Sequence, residues 1–437
     1  VSQRILIVSQ VYVPDPASVG QHLHDAASEM VRRGYRVKVV ASSRGYDDPS
    51  RRYPRRESIE GVDVLRVPTV GLGKRSLASR LVGQLVFLAR AFFSSLLTRD
   101  LGMVLVTTSP PMCSAVALAV SAIHRVPLVY WVMDINPDQA VATGLLGRHS
   151  LLVFLLERLN RLAMRRAAAV VTLDRFMADR LSRKVGNDRG LFVMPPWPHE
   201  EYLVDIPHGQ NPFRTRLHLD GRFVFMYSGN HAITSPIATL LQAAERLRGR
   251  RDIVFVFVGG GVRKREVDKA ISEGAPNVVS LPYQPLESLG YCLSAADVHV
   301  VTLDRRAVGI VHPCKVYGAM ATGRPILFVG PAVCHVSEIL AQHSIGTRVE
   351  EGDLEAAVRA ITELADTRRS ELARMGHTAK RVVEDHLSKD TLCRGFVDIV
   401  EYSLTKGDTA NTNRPRKPSL QPLHDPARTG DLDVARR

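Results

Sequence analysis

Cysteine is scarce in this chain of 437 residues, with five in all, at positions 113, 292, 314, 334 and 393. Their number is odd, their spacing is wide and no C-x-x-C pair occurs. That excludes a disulfide framework and a structural zinc site, and it fits a reducing cytosol. Other signatures are missing too. No G-x-G-x-x-G follows the first strand-like run, as a dinucleotide dehydrogenase would require, and no glycine turn ends in the G-K-[ST] of an ATP-hydrolysing P-loop. The histidines at 22, 24, 231, 312 and 335 show no H-E-x-x-H or comparable spacing, so no metal is expected. Long apolar runs are also lacking. The longest uncharged run, 101–123, is cut by Thr107-Thr108-Ser109 and Pro110-Pro111 into a strand and a separate helix, so no transmembrane segment is expected. Arg4 leads straight into strand-like 5–8, and no leader segment is expected.

What is present is a globular composition, 45% hydrophobic and 23% charged, at a length that calls for two or three domains. Net charge is +14, and residues 1–200 hold 27 of the basic and only 16 of the acidic side chains. A basic N-terminal half suits an anionic partner, a membrane surface or nucleic acid; the same excess also serves solubility alone. The basic residues form no aromatic-interleaved motif, which disfavours nucleic acid.

Short β-branched runs alternate with helical segments. Runs 5–9, 37–41, 62–67, 103–107, 128–132, 170–173 and 191–194 predict strands, and helices are expected around 22–33, 77–97, 113–124, 150–166 and 175–183. Pro195-Pro196-Trp197-Pro198 breaks the pattern. It restarts with strands at 223–228, 253–258, 278–281, 298–303 and 326–329, then turns mainly helical. Continuously apolar strands between helices indicate parallel sheet covered on both faces. The expected fold is α/β, with two doubly wound Rossmann-like domains facing across a cleft, 1–200 and 222–385, joined by a linker at 201–221. A C-terminal helix at 386–405 returns to the first domain, and 406–437 form a disordered tail.

Five segments carry candidate chemistry, each with a plainer alternative. Gly20 opens a helix, where it either lets backbone N–H groups approach an anion or simply starts the helix. Ser228-Gly229-Asn230 ends a strand and either leaves room for a ligand, with Asn230 hydrogen-bonding it, or is a turn. The turn Gly259-Gly260-Gly261 precedes Arg263 and Lys264 and suits phosphate or packing equally. Asp134, at a strand's carboxyl end, binds a hydroxyl, accepts a proton, or caps the next turn. Pro313 suits the first turn of a helix, which places Lys315 where a cation opposes the dipole unless an anion is bound there.

Taken in order, these pieces resemble the family 4 retaining glycosyltransferases of GT-B fold, most closely the WbuB-like branch used in surface-polysaccharide assembly. The resemblance covers about residues 3–400. It is carried most specifically by Pro313-Cys-Lys-Val-Tyr-Gly-Ala-Met-Ala-Thr-Gly-Arg-Pro325, and also by Asp134-Ile-Asn-Pro-Asp138, Ser228-Gly-Asn230, the glycine turn and Ala296-Asp297-Val298. It implies an N-terminal domain for the acceptor and a C-terminal domain for a nucleotide diphosphate sugar. The implied reaction is metal-free transfer of a hexosyl or N-acetylhexosaminyl group to a hydroxyl of a lipid-linked saccharide. In this reading Asp134 and Lys315 are catalytic, and Lys315 also contacts the donor diphosphate. Gly20, Gly229, Asn230, Gly260, Arg263, Leu281, Tyr283, Pro313, Val316 and Glu338 line the donor, with Leu281-Pro-Tyr283 beside the base. The family's two glutamates fall at Ile310 and Gly318, so neither carboxylate is present, and Asp304 and Glu338 are the candidate substitutes. A sugar-nucleotide epimerase of the same fold and a nucleotide-sugar-binding protein with a degenerate site are the alternatives. The implied place is the cytoplasm, peripheral on the inner face of the membrane. Leu81, Leu85, Leu88 and Phe92, flanked by Lys74, Arg75, Arg80, Arg90 and Arg99, form a helix face that meets either an anionic membrane or the core.

Overall fold

The computed structural model describes residues 3–45, 48, 50–69, 77–199 and 206–406. In the first half the strands are β1 (Arg4–Val8), β2 (Arg36–Ser42), β3 (Arg56–Ile59), β4 (Val62–Val67), β5 (Leu101–Thr107), β6 (Leu128–Val132), β7 (Ala169–Thr172) and β8 (Leu191–Val193). They form one sheet in the order β3-β4-β2-β1-β5-β6-β7-β8, parallel except for β3, which runs antiparallel to β4. Its helices are α1 (Ser18–Arg32), α2 (Leu77–Leu96), α3 (Cys113–His124), α4 (Asp138–Ala142), α5 (Leu151–Arg166) and α6 (Arg175–Val185).

The second half begins with α7 (Pro212–Arg216). Its strands β9 (Phe223–Ser228), β10 (Ile253–Val258), β11 (Val278–Leu281), β12 (Val298–Thr302), β13 (Ile326–Val329) and β14 (Gly346–Val349) form an all-parallel sheet in the order β11-β10-β9-β12-β13-β14. Around it lie α8 (Ala238–Arg246), α9 (Lys264–Ser272), α10 (Leu289–Ser294), α11 (Lys315–Ala321), α12 (His335–His343), α13 (Leu354–Asp366) and α14 (Arg369–Val382). A last helix, α15, covers Lys389–Lys406.

The two doubly wound domains expected from the strand–helix alternation are therefore present. Buried strands such as β10, Ile-Val-Phe-Val-Phe-Val, have no polar alternation because helices cover both faces. The edge strand β3 was not expected: Arg-Glu-Ser-Ile has alternately exposed side chains and little apolar signal. Helix α1 starts at Ser18, four residues before the expected point. In each sheet the order reverses beside the first strand, between β1 and β5 and between β9 and β12. Loops leaving the carboxyl ends diverge at such points and open a crevice.

The Pro-rich break is not a loose connector. Pro195, Pro196, Trp197 and Pro198 are all buried. The Trp197 indole donates to Asp25 Oδ2 at 2.9 Å, and Asp25 also holds Lys389 Nζ at 2.7 Å, so α1, the break and the start of α15 are tied at one carboxylate. α15 then packs on α1, β6 and β7 of the first domain, and its Phe396 ring lies 4.1 Å from that of Trp131, both fully buried. Residues 201–205 of the expected linker, and all of the expected tail but Lys406, lie outside the described residues.

Phe396→Ala removes a fully buried ring from this junction. It should lower stability by about 3–5 kcal/mol, read as a reduced midpoint in urea denaturation followed by tryptophan fluorescence. A loss under about 1 kcal/mol would show that α15 is not part of the first domain's core.

Candidate functional site

Close backbone approach builds the floor of the crevice in the second domain. The loop after β9 and the loop after β10 interlock: Gly229 N–H donates to the Val258 carbonyl at 2.9 Å and His231 N–H to the Gly260 carbonyl at 2.7 Å. A Cβ at Gly259, which has φ +119°, would stand 2.2 Å from the Gly229 oxygen, so only glycine fits there. Packing between the two loops thus accounts for this glycine. Gly260 instead lies under the Tyr283 ring, whose hydroxyl reaches the Gly260 carbonyl at 3.4 Å, leaving the ring half exposed at the rim.

Lys315 is the first residue of α11, after the N-cap Cys314. Pro313 precedes the helix instead of opening it, a shift of two residues. The Lys315 ammonium donates to the Asn230 carbonyl at 3.1 Å and sits 4.8 Å from the Tyr227 ring centre. A Cβ on Gly229 would lie 2.5 Å from Lys315 Cε, so the missing side chain is what lets the lysine lie on this loop. Among the described residues no carboxylate pairs with Lys315. Asn230 leaves its own side chain exposed beside it.

The other candidate cations are occupied. Arg263 is held by Glu266, its Nε 2.8 Å from Oε1. Lys264 donates to the Phe257 and Leu281 carbonyls at 2.7 and 2.9 Å, and burial pushes its pKa down to about 8. That also uses the Leu281 carbonyl. Val316 is turned into the core, and its N–H is on the Pro313 carbonyl at 3.2 Å, so neither group faces the crevice. Gly20, in α1, donates its N–H to the Ala17 carbonyl at 2.9 Å, and a Cβ on it would press on Tyr12 Cα at 3.1 Å. Its small size packs the helix start against the preceding loop.

The two domains touch at the mouth of the crevice. Ile135 N–H donates to the Ile310 carbonyl at 2.9 Å, and Asp134 and Val311 form an antiparallel bridge. This pinch places Asp134, from the carboxyl end of β6, against the loop that leads to Lys315. Cys314 lies within electrostatic reach of both Asp134 and Lys315. Burial raises the Asp134 pKa to about 6, with His312 pulling the other way. Its carboxylate has no hydrogen-bond partner among the described residues, so it caps no turn.

Behind Asp134 runs a chain of buried polar groups that crosses between the domains. Asp174, at the N-cap of α6, accepts from Met177 N at 2.8 Å and meets His312 Nδ1 at 2.7 Å. His312 Nε2 meets the Tyr317 hydroxyl at 2.8 Å, which meets His335 Nε2 at 2.8 Å. The side chains of His312 and Asp174 are 0% and 3% exposed. Burial alone would raise the Asp174 pKa; the hydrogen bond and charge of His312, with His335 and the Met177 N–H, together outweigh it and hold the carboxyl below its usual range. None of these four residues was singled out from sequence as functional. Each has a local explanation, and 138 positions separate Asp174 from His312. The nearest signal was the position of His312, directly before the Pro313 block.

The candidate substitutes for the absent carboxylates are both engaged. Glu338, in the first turn of α12, pairs across the domains with Arg175, and Asp304 is held by Arg306 with contacts at 2.6 and 3.1 Å. Ile310 is buried, whereas a Cβ on Gly318 would meet nothing within 4 Å, so this position opens on free space. Among the described residues no group of His, Cys, Asp and Glu is placed to hold a metal ion.

Comparison with known proteins gives this geometry a context. The family profile described as "Glycosyl transferase 4-like domain" matches residues 18–197, and that described as "Glycosyl transferases group 1" matches 222–367, together about three quarters of the chain. WbjE of Pseudomonas aeruginosa, described as a probable glycosyltransferase, is 27% identical over 280 residues, covering 63% of this chain and 69% of its own. WcaI of Escherichia coli, described as a putative colanic acid biosynthesis glycosyl transferase, is 22% identical over 412 residues, or 91% and 99%. Among solved structures, Anabaena HepE in complex with UDP and glucose superposes with a TM-score of 0.68 at 15% identity, covering 91% of this chain and 99% of its own.

The raised pKa of Asp134 has a sign that can be tested. Its folded value of about 6 lies above the unfolded carboxylate value of about 3.9, so the charged form costs stability. The cost is absent below about pH 4, grows as pH rises towards 6 and is complete above it. Asp134→Asn should therefore stabilise the protein by about 1–2 kcal/mol at pH 8 and change nothing at pH 4, measured by chemical denaturation. Destabilisation at pH 8 would show instead that the carboxylate is held by favourable contacts.

Proposed function

The chain is a glycosyltransferase of the family 4 type with the GT-B fold, and from that premise we propose which substrates it joins and how. A sugar passes from a nucleotide diphosphate sugar to a hydroxyl of a lipid-linked saccharide, in the assembly of a surface polysaccharide or glycolipid, with retention of configuration at the transferred carbon. The observation that carries this reading is the juxtaposition at the crevice mouth. A lysine with no carboxylate partner among the described residues stands on one domain and an unpartnered carboxylate on the other, both within reach of Cys314. HepE, of the same fold, holds UDP and glucose. WcaI's description as a colanic acid biosynthesis enzyme supports the polysaccharide setting.

In the proposed mechanism the donor diphosphate lies on the Gly229–Asn230 loop, against Lys315. The negative charge on the departing diphosphate grows as the glycosidic bond breaks, and the ammonium is already placed to stabilise it. Asp134, charged above about pH 6, takes the proton of the attacking hydroxyl. The exposed Tyr283 ring offers a flat apolar surface for the base. By the resemblance, Gly318, where an added Cβ would meet nothing within 4 Å, stands in place of one of the family's carboxylates. Arg263 stays with Glu266 and contributes background charge only.

Two measurements test this. Lys315→Ala should weaken nucleoside diphosphate binding by about 1.5–3 kcal/mol, the range for a charge-assisted hydrogen bond, and leave nucleoside binding nearly unchanged in isothermal titration. Equal losses for both ligands would make Lys315 a folding residue. In transfer assays the rate should fall on the acid side with an apparent pKa of about 6. Asp134→Asn should lower kcat by about 100-fold or more and abolish that acid limb. Turnover of donor without any acceptor, to an epimerised product, would favour the epimerase reading.

A further inference from the structure

At the start of α6 three consecutive residues of the first domain each touch the second. Asp174 meets His312 Nδ1 at 2.7 Å, and Arg175 Nε donates to Glu338 Oε1 at 2.8 Å. Phe176 lies so close to Gly309, which has φ +66°, that a Cβ there would stand 2.7 Å from the Phe176 carbonyl oxygen. The three contacts differ in kind. Arg175 is 47% exposed, and an ion pair in reach of water is worth little. The Phe176 contact is one of shape. The Asp174 contact is sealed from water and continues into the second domain. Its carboxylate fixes a proton on His312 Nδ1, so that Nε2 faces the Tyr317 hydroxyl, which also holds His335 Nε2. The His312 and Tyr317 rings lie 16° from parallel with their centres 5.5 Å apart, so packing supports the same arrangement.

The fold alone does not require such a chain. Well-packed apolar residues of the same volume commonly stabilise a core as well as a buried charged group with its partners. What hydrogen bonds add is direction: they select one rotation and one depth of α11. Tyr317 and Lys315 are two residues apart in that helix, so their side chains leave its axis about 200° apart. The chain therefore grips α11 on its buried side, while the ammonium extends from the opposite side to the Asn230 carbonyl at 3.1 Å. The seat of the lysine tolerates little movement, because a single Cβ added at Gly229 would come 2.5 Å from Lys315 Cε. A tilt of α11 that is small at Tyr317 takes the ammonium off its loop.

We propose that Asp174, His312 and Tyr317 are positioning residues for Lys315, so that the affinity of the second domain for a diphosphate depends on a carboxylate of the first. The inference rests on the reading of Lys315 as the diphosphate contact. UDP, GDP, ADP and dTDP are titrated calorimetrically into the full chain, and the tightest binder is carried forward together with its nucleoside. Tyr317→Phe removes one oxygen and keeps the ring. Asp174→Asn keeps a capping oxygen for Met177 N–H and puts an NH2 group against His312 Nδ1. Each should weaken diphosphate binding about fivefold in the parent chain but less than about twofold in a Lys315→Ala background, where no ammonium is left to misplace. Nucleoside binding should stay within about twofold throughout, which reports that the second domain is folded. Arg180→Ala, which breaks an ion pair of the same helix with Asp138 of its own domain, should leave both ligands within about twofold. Losses of equal size in the two backgrounds, or a parallel loss of nucleoside binding, would show that the chain serves the fold as a whole and would overturn the proposal. Unchanged diphosphate binding in Tyr317→Phe and Asp174→Asn, beside a clear loss in Lys315→Ala, would overturn the positioning role and leave the diphosphate contact standing. No loss in Lys315→Ala would overturn both.

Discussion

A carboxylate and an imidazole, nearly stripped of water, join the two halves of this enzyme. Asp174 belongs to the first domain and His312 to the second, and their 2.7 Å contact is buried between the two. An unpaired charge there would cost several kcal/mol, and a pair supported by further hydrogen bonds does not. Tyr317 and His335 supply those bonds, so the arrangement of α11 and α12 is coupled to the position of α6. Lys315 starts α11. Its place above the Gly229 loop is therefore linked, through about half a turn of helix and one buried tyrosine, to a residue of the opposite domain.

The pieces of the crevice differ in how they are held, and the difference follows their use. Groups in the walls are satisfied: Lys264 by two strand-end carbonyls, Arg263 by Glu266, Asp304 by Arg306. Asp134 and Lys315 are not matched by any opposite charge in a salt bridge among the described residues, and both stand at the crevice mouth. Opposite charges left unmatched on facing sides of a cleft are the physical ground for reading these two as the working pair.

Much of this was legible in the sequence. Strands buried on both faces write themselves as unbroken apolar runs, so the core strands of both sheets stand out, whereas edge strand β3 does not. Lys315 was conspicuous because a cation at a helix start has an electrostatic cost. Val316 was misjudged as a contact: one residue along a helix turns a side chain by about 100°, from crevice to core. On α2 the expected face is split, with Leu85 exposed, Leu88 buried and Phe92 half-buried, while the Leu81 side chain lies outside the described residues. The Asp174–His312 contact left no trace, because each partner is ordinary in its own segment and only the closed arrangement of two domains brings them together.

The return of α15 to the first domain has a consequence for the order of events during synthesis. Trp131 leaves the ribosome long before Phe396, yet the two rings complete one another's surroundings in the finished core. The domain made first is thus finished last, after the entire second domain has emerged. Until then β6 and β7 carry an uncovered apolar face, a state that favours assistance by chaperones and slow, high-contact-order completion. A chain interrupted before α15 would lack not a peripheral helix but the closing piece of its N-terminal half.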